Sequence, residues 1–563
     1  MTAVTDLQAQ ILWHRLIAVV EEQAQTLIRT AFSTTVREAG DLSAGVFDDR
    51  GRMLAQAVTG TPGHVNAMAA SVGAFLRAYP LDTLGPGDVL VTNDPWDGTG
   101  HLNDFTVVTP VFRAGRAIAL FAATTHIADV GGLGFGPQGR SVYEEGLLIP
   151  IAKLFERGRL NDTLMAIVRA NVRDPVAAEG DLYSLAACNR TGAERLAAML
   201  DDFGLADLNP VAETILARSD AAMRAEIAKL PQTRVRHTMR IDGHDAPLDL
   251  VCTLSVADET VHIDWTGSSP LAPRGVNVPL TYTQAYSAFG VRVLIGAEVP
   301  NNHASLARVV TTAPEGCVLN APRPAPVSAR HAIGQMLPDV VLGCLAQLLP
   351  DRVPAEGAGC LWNPVLLGGP GQGLEAGQKA GRKTGQGADL ADQEGEAPGD
   401  PGPAFVINPF HTGGMGARPD RDGLDCTAFP SGVRSTPVEI YEATAPVIVW
   451  RKEFRPGSGG AGRFRGGMGQ VMEFGHADDR PFAVSRMFDR LVHPPRGRAG
   501  GGDGAPGRAY LSDGTELSGM GRDVVPAGVT FTMETPGGGG YGDPAERAAD
   551  AAARDARDGI VGD

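Results

Sequence analysis

The sequence predicts an α+β, multi-domain chain, with mixed and antiparallel sheets under helical layers and a Gly-rich, β-rich C-terminal part. Three observations carry this. At 563 residues the chain is too long for one simple core, and length alone suggests three or four domains, roughly. Segments with apolar residues at helical spacing are interspersed with runs that alternate apolar and polar residues. Gly and Pro are abundant, at 72 and 40 residues, so turns and long ordered loops are many.

In order along the chain, the first segment reads as a helix. Asp6 can cap it, and Leu16, Val20, Ala24, Leu27, Ile28 and Ala31 recur on one face. "DLSAGVFDDRGRMLAQA" reads as two strands about a turn at Asp48–Gly51, and "TPGHVNAMAASVGAFLRAYP" as a loop entering a helix. "FTVVTPVF", "RAGR" and "AIALFAATTH" form a hairpin. Residues 145–230 are expected to be mostly helical. From 235, "RHTMRIDG", "LDLVCTLSVADETVHIDWTGSS" and "ARVVTTAPEG" alternate like strands. "SARHAIGQMLPDVVLGCLAQLLP" then reads as a helix kinked or broken at Pro338. A stretch poor in large apolar residues follows and is expected to be a disordered insertion. Short strands and Gly-rich turns run to about 545, and "PAERAADAAARDARDG" closes as a short solvated helix. The expected regions are therefore 1–230 (α+β), 231–365 (central α+β), 366–403 (insertion), 404–545 (β-rich) and 546–563 (tail).

Composition excludes several classes. A hydrophobic fraction of 43% and a charged fraction of 20% are globular values. The formal net charge of −16 opposes nucleic-acid or anionic-membrane partners and favours solubility. The six cysteines are scattered with no CxxC pair, which fits buried thiols in a reducing compartment. The N-terminus lacks a signal-peptide pattern and no run of about 18 apolar residues occurs, so a cytoplasmic protein is expected.

Chemistry concentrates at the hairpin. With the turn at Ala114–Gly115, antiparallel pairing sets Asp104 opposite Thr125 and Asn103 opposite His126. His101 and Asp104 of "HLND" then neighbour His126 and Asp129 of "HIAD". Two imidazoles with one or two carboxylates suit Zn²⁺, Mn²⁺ or Fe²⁺ better than Ca²⁺. The competing reading is a pair of histidines satisfying local turns. "PGGGGYGDP" offers either a phosphate cradle or a turn needing positive φ. "GQKAGRKTG" does not match GxxxxGK[ST], and no GxSxG elbow is present.

Ten motifs stand in order along the chain: "REAGDLSAGVFDDRGRMLAQ", "GHVNAM", "NDPWDGTGHLNDFTVVTPVF", "THIADVGG", "EEGLLIP", "NVRDP", "GDLYSLAACN", "GGMGARPDRDG", "GGAGRFRGGMGQ" and "TPGGGGYGDP". Through them the chain resembles the hydantoinase B/oxoprolinase family over nearly its whole length. That family includes B subunits of ATP-dependent hydantoinases and caprolactamases, the C-terminal half of 5-oxoprolinases and α subunits of acetone carboxylases. The Gly-rich stretch near 368–403 has no counterpart in the family pattern. The resemblance implies a partner A subunit that binds ATP and phosphorylates a carbonyl oxygen or bicarbonate, in a hetero-oligomer of A and B chains. It implies metal ligands at Asp41, His101, Asp104 and His126, of which Asp41 rests on the resemblance alone. Asn103 stands where the family has Pro, and "WDGTGH" departs from its usual aromatic-Gly-Gly-Thr stretch. The expected activity is opening of a cyclic amide activated by phosphorylation, with Asp94 or Asp129 as general base. Asp129 is read equally as a partner that orients an imidazole or as a turn cap. A ketone-carboxylase subunit and a non-catalytic scaffold are the alternatives.

Overall fold

The computed structural model describes residues 6–58, 60–359, 361–370 and 403–561. Most of the expected insertion (371–402), Cys360 and the Asp6 side chain lie outside the described residues. The fold is the expected α+β type: among the described residues, four sheets, almost wholly antiparallel, covered by helices.

The N-terminal part is a seven-stranded antiparallel sheet. Its strands are β1 (Leu42–Phe47), β2 (Met53–Gln56), β3 (Val89–Thr92), β4 (Asp104–Arg113), β5 (Arg116–His126), β6 (Ala152–Glu156) and β7 (Arg159–Leu160), in the order β2-β1-β5-β4-β3-β6-β7. Strands β6 and β7 fall in the region expected to be mostly helical. They extend the sheet edge before the helices 162–171, 175–202 and 209–227 begin. Alternation along β4 and β5 buries both faces. Phe121 joins the cluster made with the helices at 6–30 and 175–202, while Leu120 and Val108 join Val65, Met68 and Phe75 of the helix at 62–78. Gly192 is what lets the 175–202 helix approach. A Cβ there would stand 2.5 Å from the Phe121 ring.

The β4–β5 turn has Ala114 and Gly115 at φ 48° and 78°, the positive values that a two-residue hairpin turn of the right twist requires. A register shift between Val111 and Phe112 then moves the pairing by one residue, so Asp104 faces His126 rather than Thr125. The expected neighbourhood is thereby tightened into a direct pair.

The central part is a sheet of β8 (Arg234–Ile241), β9 (Leu248–Ala257), β10 (Thr260–Asp264) and β11 (Val309–Thr312). The β10–β11 pair is parallel, joined by a crossover containing the helix 280–292. The helix expected across Pro338 is two helices, Arg330–Gly334 and Leu337–Leu345. Pro338 sits in the first turn of the second, where no backbone donor is needed. The remaining strands are β12 (Val365–Gly368), β13 (Phe405–Ile407), β14 (Val447–Arg455), β15 (Gly469–His476), β16 (Phe482–Met487), β17 (Arg508–Leu511), β18 (Met520–Val525) and β19 (Phe531–Glu534). They form two four-stranded sheets, β13-β12-β16-β18 and β14-β15-β19-β17. One large apolar cluster runs from the central sheet into both of them. Among the described residues no helix is long and apolar enough to cross a membrane.

"PGGGGYGDP" meets the positive-φ reading at Gly542 alone and is not a phosphate cradle. Gly537, Gly538, Gly539 and Gly540 are not at positive φ; only Gly542 is, at 75°. Their N–H groups are taken by the carbonyls of Ala505, Gly467, Glu356 and Gly502, so none is left to cradle a phosphate. The run packs backbone to backbone against other glycine segments. A Cβ on Gly538 would stand 2.0 Å from the Met415 carbonyl oxygen, and one on Gly466 1.8 Å from that of Gly538. Glycine is required here for close approach.

Candidate functional site

The site lies where the mouth of the β4–β5 hairpin meets the central helices. Asp104 is fully buried and opens β4, with His126 closing β5 opposite it. Asn103 holds the mouth shut: its amide donates to the Ile127 carbonyl at 2.9 Å, and its own carbonyl accepts from the Ile127 N–H. The Asp104 carboxylate gathers five groups. His101 Nε2 is 2.7 Å and His126 Nδ1 3.4 Å from Oδ1. His64 Nε2 is 3.0 Å from Oδ2, which also accepts the Thr99 hydroxyl at 2.8 Å and a charge-assisted bond from Arg330. Gly100, at φ 107°, lets Arg330 in, since a Cβ there would stand 2.7 Å from its Nε. The Arg330 guanidinium also lies 3.7 Å over the Tyr282 ring.

The structure thus brings His101, Asp104 and His126 together. Asp41 lines the same cavity, one imidazole further out. Its Oδ1 accepts the Thr61 hydroxyl at 2.9 Å and lies 3.3 Å from His64 Nδ1. Asp94 and Asp129 are placed elsewhere. Asp94 accepts from the Arg323 guanidinium and the Trp96 N–H, and Asp129 from the Arg173 side chain and backbone N–H. Neither of them lines the cavity. Asp129 therefore acts as a tie between its loop and the 173 region rather than as a partner of either imidazole.

Sequence reasoning missed three residues. His64 sits in the first turn of the helix 62–78, and Arg330 and His331 open the helix 330–334. Each is a single polar residue on a buried face, with no spacing pattern to mark it. The one signal was an imidazole inside "GHVNAM", which the family resemblance had already picked out. Phe135 packs edge-on against His101 and His126 and lies 5.5 Å from the His331 ring, giving the cluster an apolar lid.

The electrostatics follow from burial. Burial alone would raise the Asp104 carboxyl, but the His101 and His64 imidazoles and Arg330 hold it well below its ordinary value. Burial and the Arg330 guanidinium push His101 down to about 4. His331 is driven well below the usual imidazole range by the same two causes. For His64, burial is outweighed by Asp104 and Asp41, and its pKa is raised.

These groups fit a divalent cation. His101 Nδ1 donates to the Ser328 carbonyl at 3.0 Å, which fixes the tautomer and turns the Nε2 lone pair toward Asp104. His126 Nε2 is buried with no hydrogen-bond partner. The donor atoms of His64, His101 and Asp104 lie within 4.8 Å of one another. Imidazole nitrogens with carboxylate oxygens are the donors that Zn²⁺, Mn²⁺ and Fe²⁺ take.

A buried imidazole–carboxylate cluster at a strand mouth, on an α+β fold of stacked antiparallel sheets, defines the class. Comparison with known proteins supplies the family. The hydantoinase B/oxoprolinase model matches residues 5–544, and the chain belongs to that family. It is 27% identical over 580 residues to a Pseudomonas sp. (strain NS671) chain provisionally named as the B subunit of a D-/L-hydantoinase, covering 98% of this chain and 92% of that one. It is 28% identical to 5-oxoprolinase 1 of Arabidopsis thaliana, over 95% of this chain but only 42% of that longer protein. Among solved structures, the ATP-dependent caprolactamase from Pseudomonas jessenii superposes with a TM-score of 0.84 at 23% identity, over 100% of this chain and 95% of that one. Nucleotide-free acetone carboxylase superposes with a TM-score of 0.82 at 18% identity, over 98% and 78%.

Proposed function

We propose that this chain is the metal-dependent B component of an ATP-dependent cyclic amide hydrolase, working in the cytoplasm with an A-type subunit that binds ATP. The observation that carries the reading is the convergence of His64, His101 and His126 on the buried Asp104 carboxylate, in a chain of this family. Asp41, His101, Asp104 and His126 would hold the metal. When bound, a Zn²⁺, Mn²⁺ or Fe²⁺ ion supplies a water whose pKa is lowered toward about 7, and polarises the carbonyl.

The chain's own residues do the rest. Arg330 and the imidazoles keep Asp104 anionic. The Ser328 carbonyl holds His101 with Nε2 facing inward. His64, held between the Asp41 and Asp104 carboxylates and with a raised pKa, is placed to hold a proton and give it to the departing ring nitrogen. Phosphorylation of the amide oxygen in the partner turns a poor electrophile into a good one. Water then adds at that carbon, the ring C–N bond breaks as the nitrogen takes up a proton, and a second water releases phosphate from the acyl phosphate that remains.

Reconstitution with an A-type subunit, ATP and a panel of cyclic amides tests this. His101→Ala and Asp104→Ala are expected to lose metal and substrate-dependent ring opening together. If both variants keep metal and turn over normally, the assignment is wrong. The likeness to acetone carboxylase supports a second reading, carboxylation of a ketone at the same centre. Substrate-dependent incorporation of labelled bicarbonate would select it, because ring opening incorporates none.

A further inference from the structure

The cavity that holds the imidazoles has a volume of about 20 Å³, room for roughly one water. Pockets that enclose an organic ligand run to roughly 300–1,000 Å³. A cyclic amide or ketone must therefore be held beside the cluster rather than within it. One neighbouring pocket has the size and the position. It encloses about 520 Å³ and shares two wall residues, Phe410 and Val433, with the imidazole cavity.

Its chemistry is specific. Phe410, Ala428, Val433 and Phe454 supply apolar wall, and Arg434 and Lys452 supply two cations. Among the described residues no carboxylate lies within ion-pair distance of either cation, while Glu453, also on the wall, is taken by Arg451. Lys452 Nζ uses two of its three protons, on Ser435 Oγ at 3.0 Å and the Thr436 carbonyl at 3.3 Å. Arg434 runs beside the backbone next to Asp41. Its N–H donates to the Ala39 carbonyl, and a Cβ on Gly40 would stand 3.5 Å from its Nη2. The cations thus sit between solvent and the cluster, with donor capacity to spare.

We propose that this pocket is the binding chamber for the activated substrate: its apolar wall takes the ring, Arg434 and Lys452 take the phosphoryl group, and the reacting carbon meets the cluster past Phe410 and Val433. The inference rests on the hydrolase reading for the identity of the ligand. The binding site itself stands on volume, shared walls and charge.

Calorimetric titration of the full chain with phenyl phosphate, inorganic phosphate and benzamide tests it. Phenyl phosphate is expected to bind more tightly than either fragment. Arg434→Gln and Lys452→Met should each weaken it roughly 10- to 100-fold, the weight of one charge-assisted contact, and leave benzamide unchanged. Both side chains are exposed, so the substitutions spare the core. Val433→Trp, narrowing the shared wall, should slow ring opening while metal content stays at the wild-type level. Wild-type chain that ignores phenyl phosphate, binds phosphate alone as tightly, or binds equally in the Arg434→Gln/Lys452→Met double variant overturns the proposal. His101→Ala separates the two claims. It should lose metal yet keep phenyl phosphate binding, so a failed metal assignment and a failed chamber give different results.

Discussion

The hairpin mouth at Asp104–His126 and the glycine bundle around Gly538 both bring distant segments within hydrogen-bond distance, by opposite means. At the mouth, side chains converge on one carboxylate, set opposite His126 by a one-residue register shift further along the strands. In the bundle, backbones converge and side chains are excluded. Gly538 donates to the Gly467 carbonyl and accepts from the Gly460 N–H, as Gly467 donates to Met415. The first arrangement concentrates buried charge, which costs stability unless paired. The second satisfies the N–H of each glycine from 537 to 540 and presents no side-chain chemistry. Function and fold are thus separable where no buried pair is broken: a neutral substitution of His64 at the mouth should cost activity before stability, while a side chain in the bundle should cost the fold itself.

The largest expected effect breaks the bundle. Gly538→Ala sets a Cβ against the Met415 carbonyl and displaces the facing segment, at a cost of about 4 kcal/mol or more. Urea unfolding should show a lower midpoint, with little folded protein recovered. A variant as stable as wild type would mean that the close approach is not needed. Next comes the mouth. His64→Gln should lower turnover by about 10²- to 10⁴-fold, the range of a lost acid–base group, with near wild-type unfolding. Loss of stability equal to that of Gly538→Ala would erase the contrast between the two regions.

The smallest effect concerns Glu145, which joins the mouth to the central segment. Its Oε1 accepts the N–H groups of Val327 and Ser328, and burial pushes its carboxyl up to about 8 from 4.5. A carboxyl raised in the folded state favours folding below its unfolded value. That contribution is fully present below about pH 4.5 and lost as pH rises through about 8. Glu145→Gln should flatten the stability–pH curve across that window. An unchanged curve would show that Glu145 is ionised in the folded chain.

How much of this was legible depended on whether a residue belonged to a pattern. The β4–β5 hairpin could be read because period-two alternation and the turn at Ala114–Gly115 agree. The one-residue shift at Val111–Phe112 could not, since a bulge leaves no mark in alternating apolar sequence, yet it sets Asp104 against His126. His64, Arg330 and His331 reach the site through tertiary packing of two helix starts, and local spacing does not encode that. Asp94 and Asp129 looked like free carboxylates because their arginine partners are far off in sequence, Arg323 for one and Arg173 for the other. The run at 537–540 misled because glycine marks positive φ and close approach alike, and only the three-dimensional neighbours tell them apart.

The central claim is that the hairpin mouth holds a divalent metal. The most direct measurement is elemental analysis of the purified full chain beside His101→Ala and Asp104→Ala. About one equivalent of Zn, Mn or Fe per chain is expected in the wild type, removed by chelation and absent from both variants. Wild-type chain free of metal under saturating Zn²⁺, Mn²⁺ and Fe²⁺, or variants that keep a full equivalent, would contradict it.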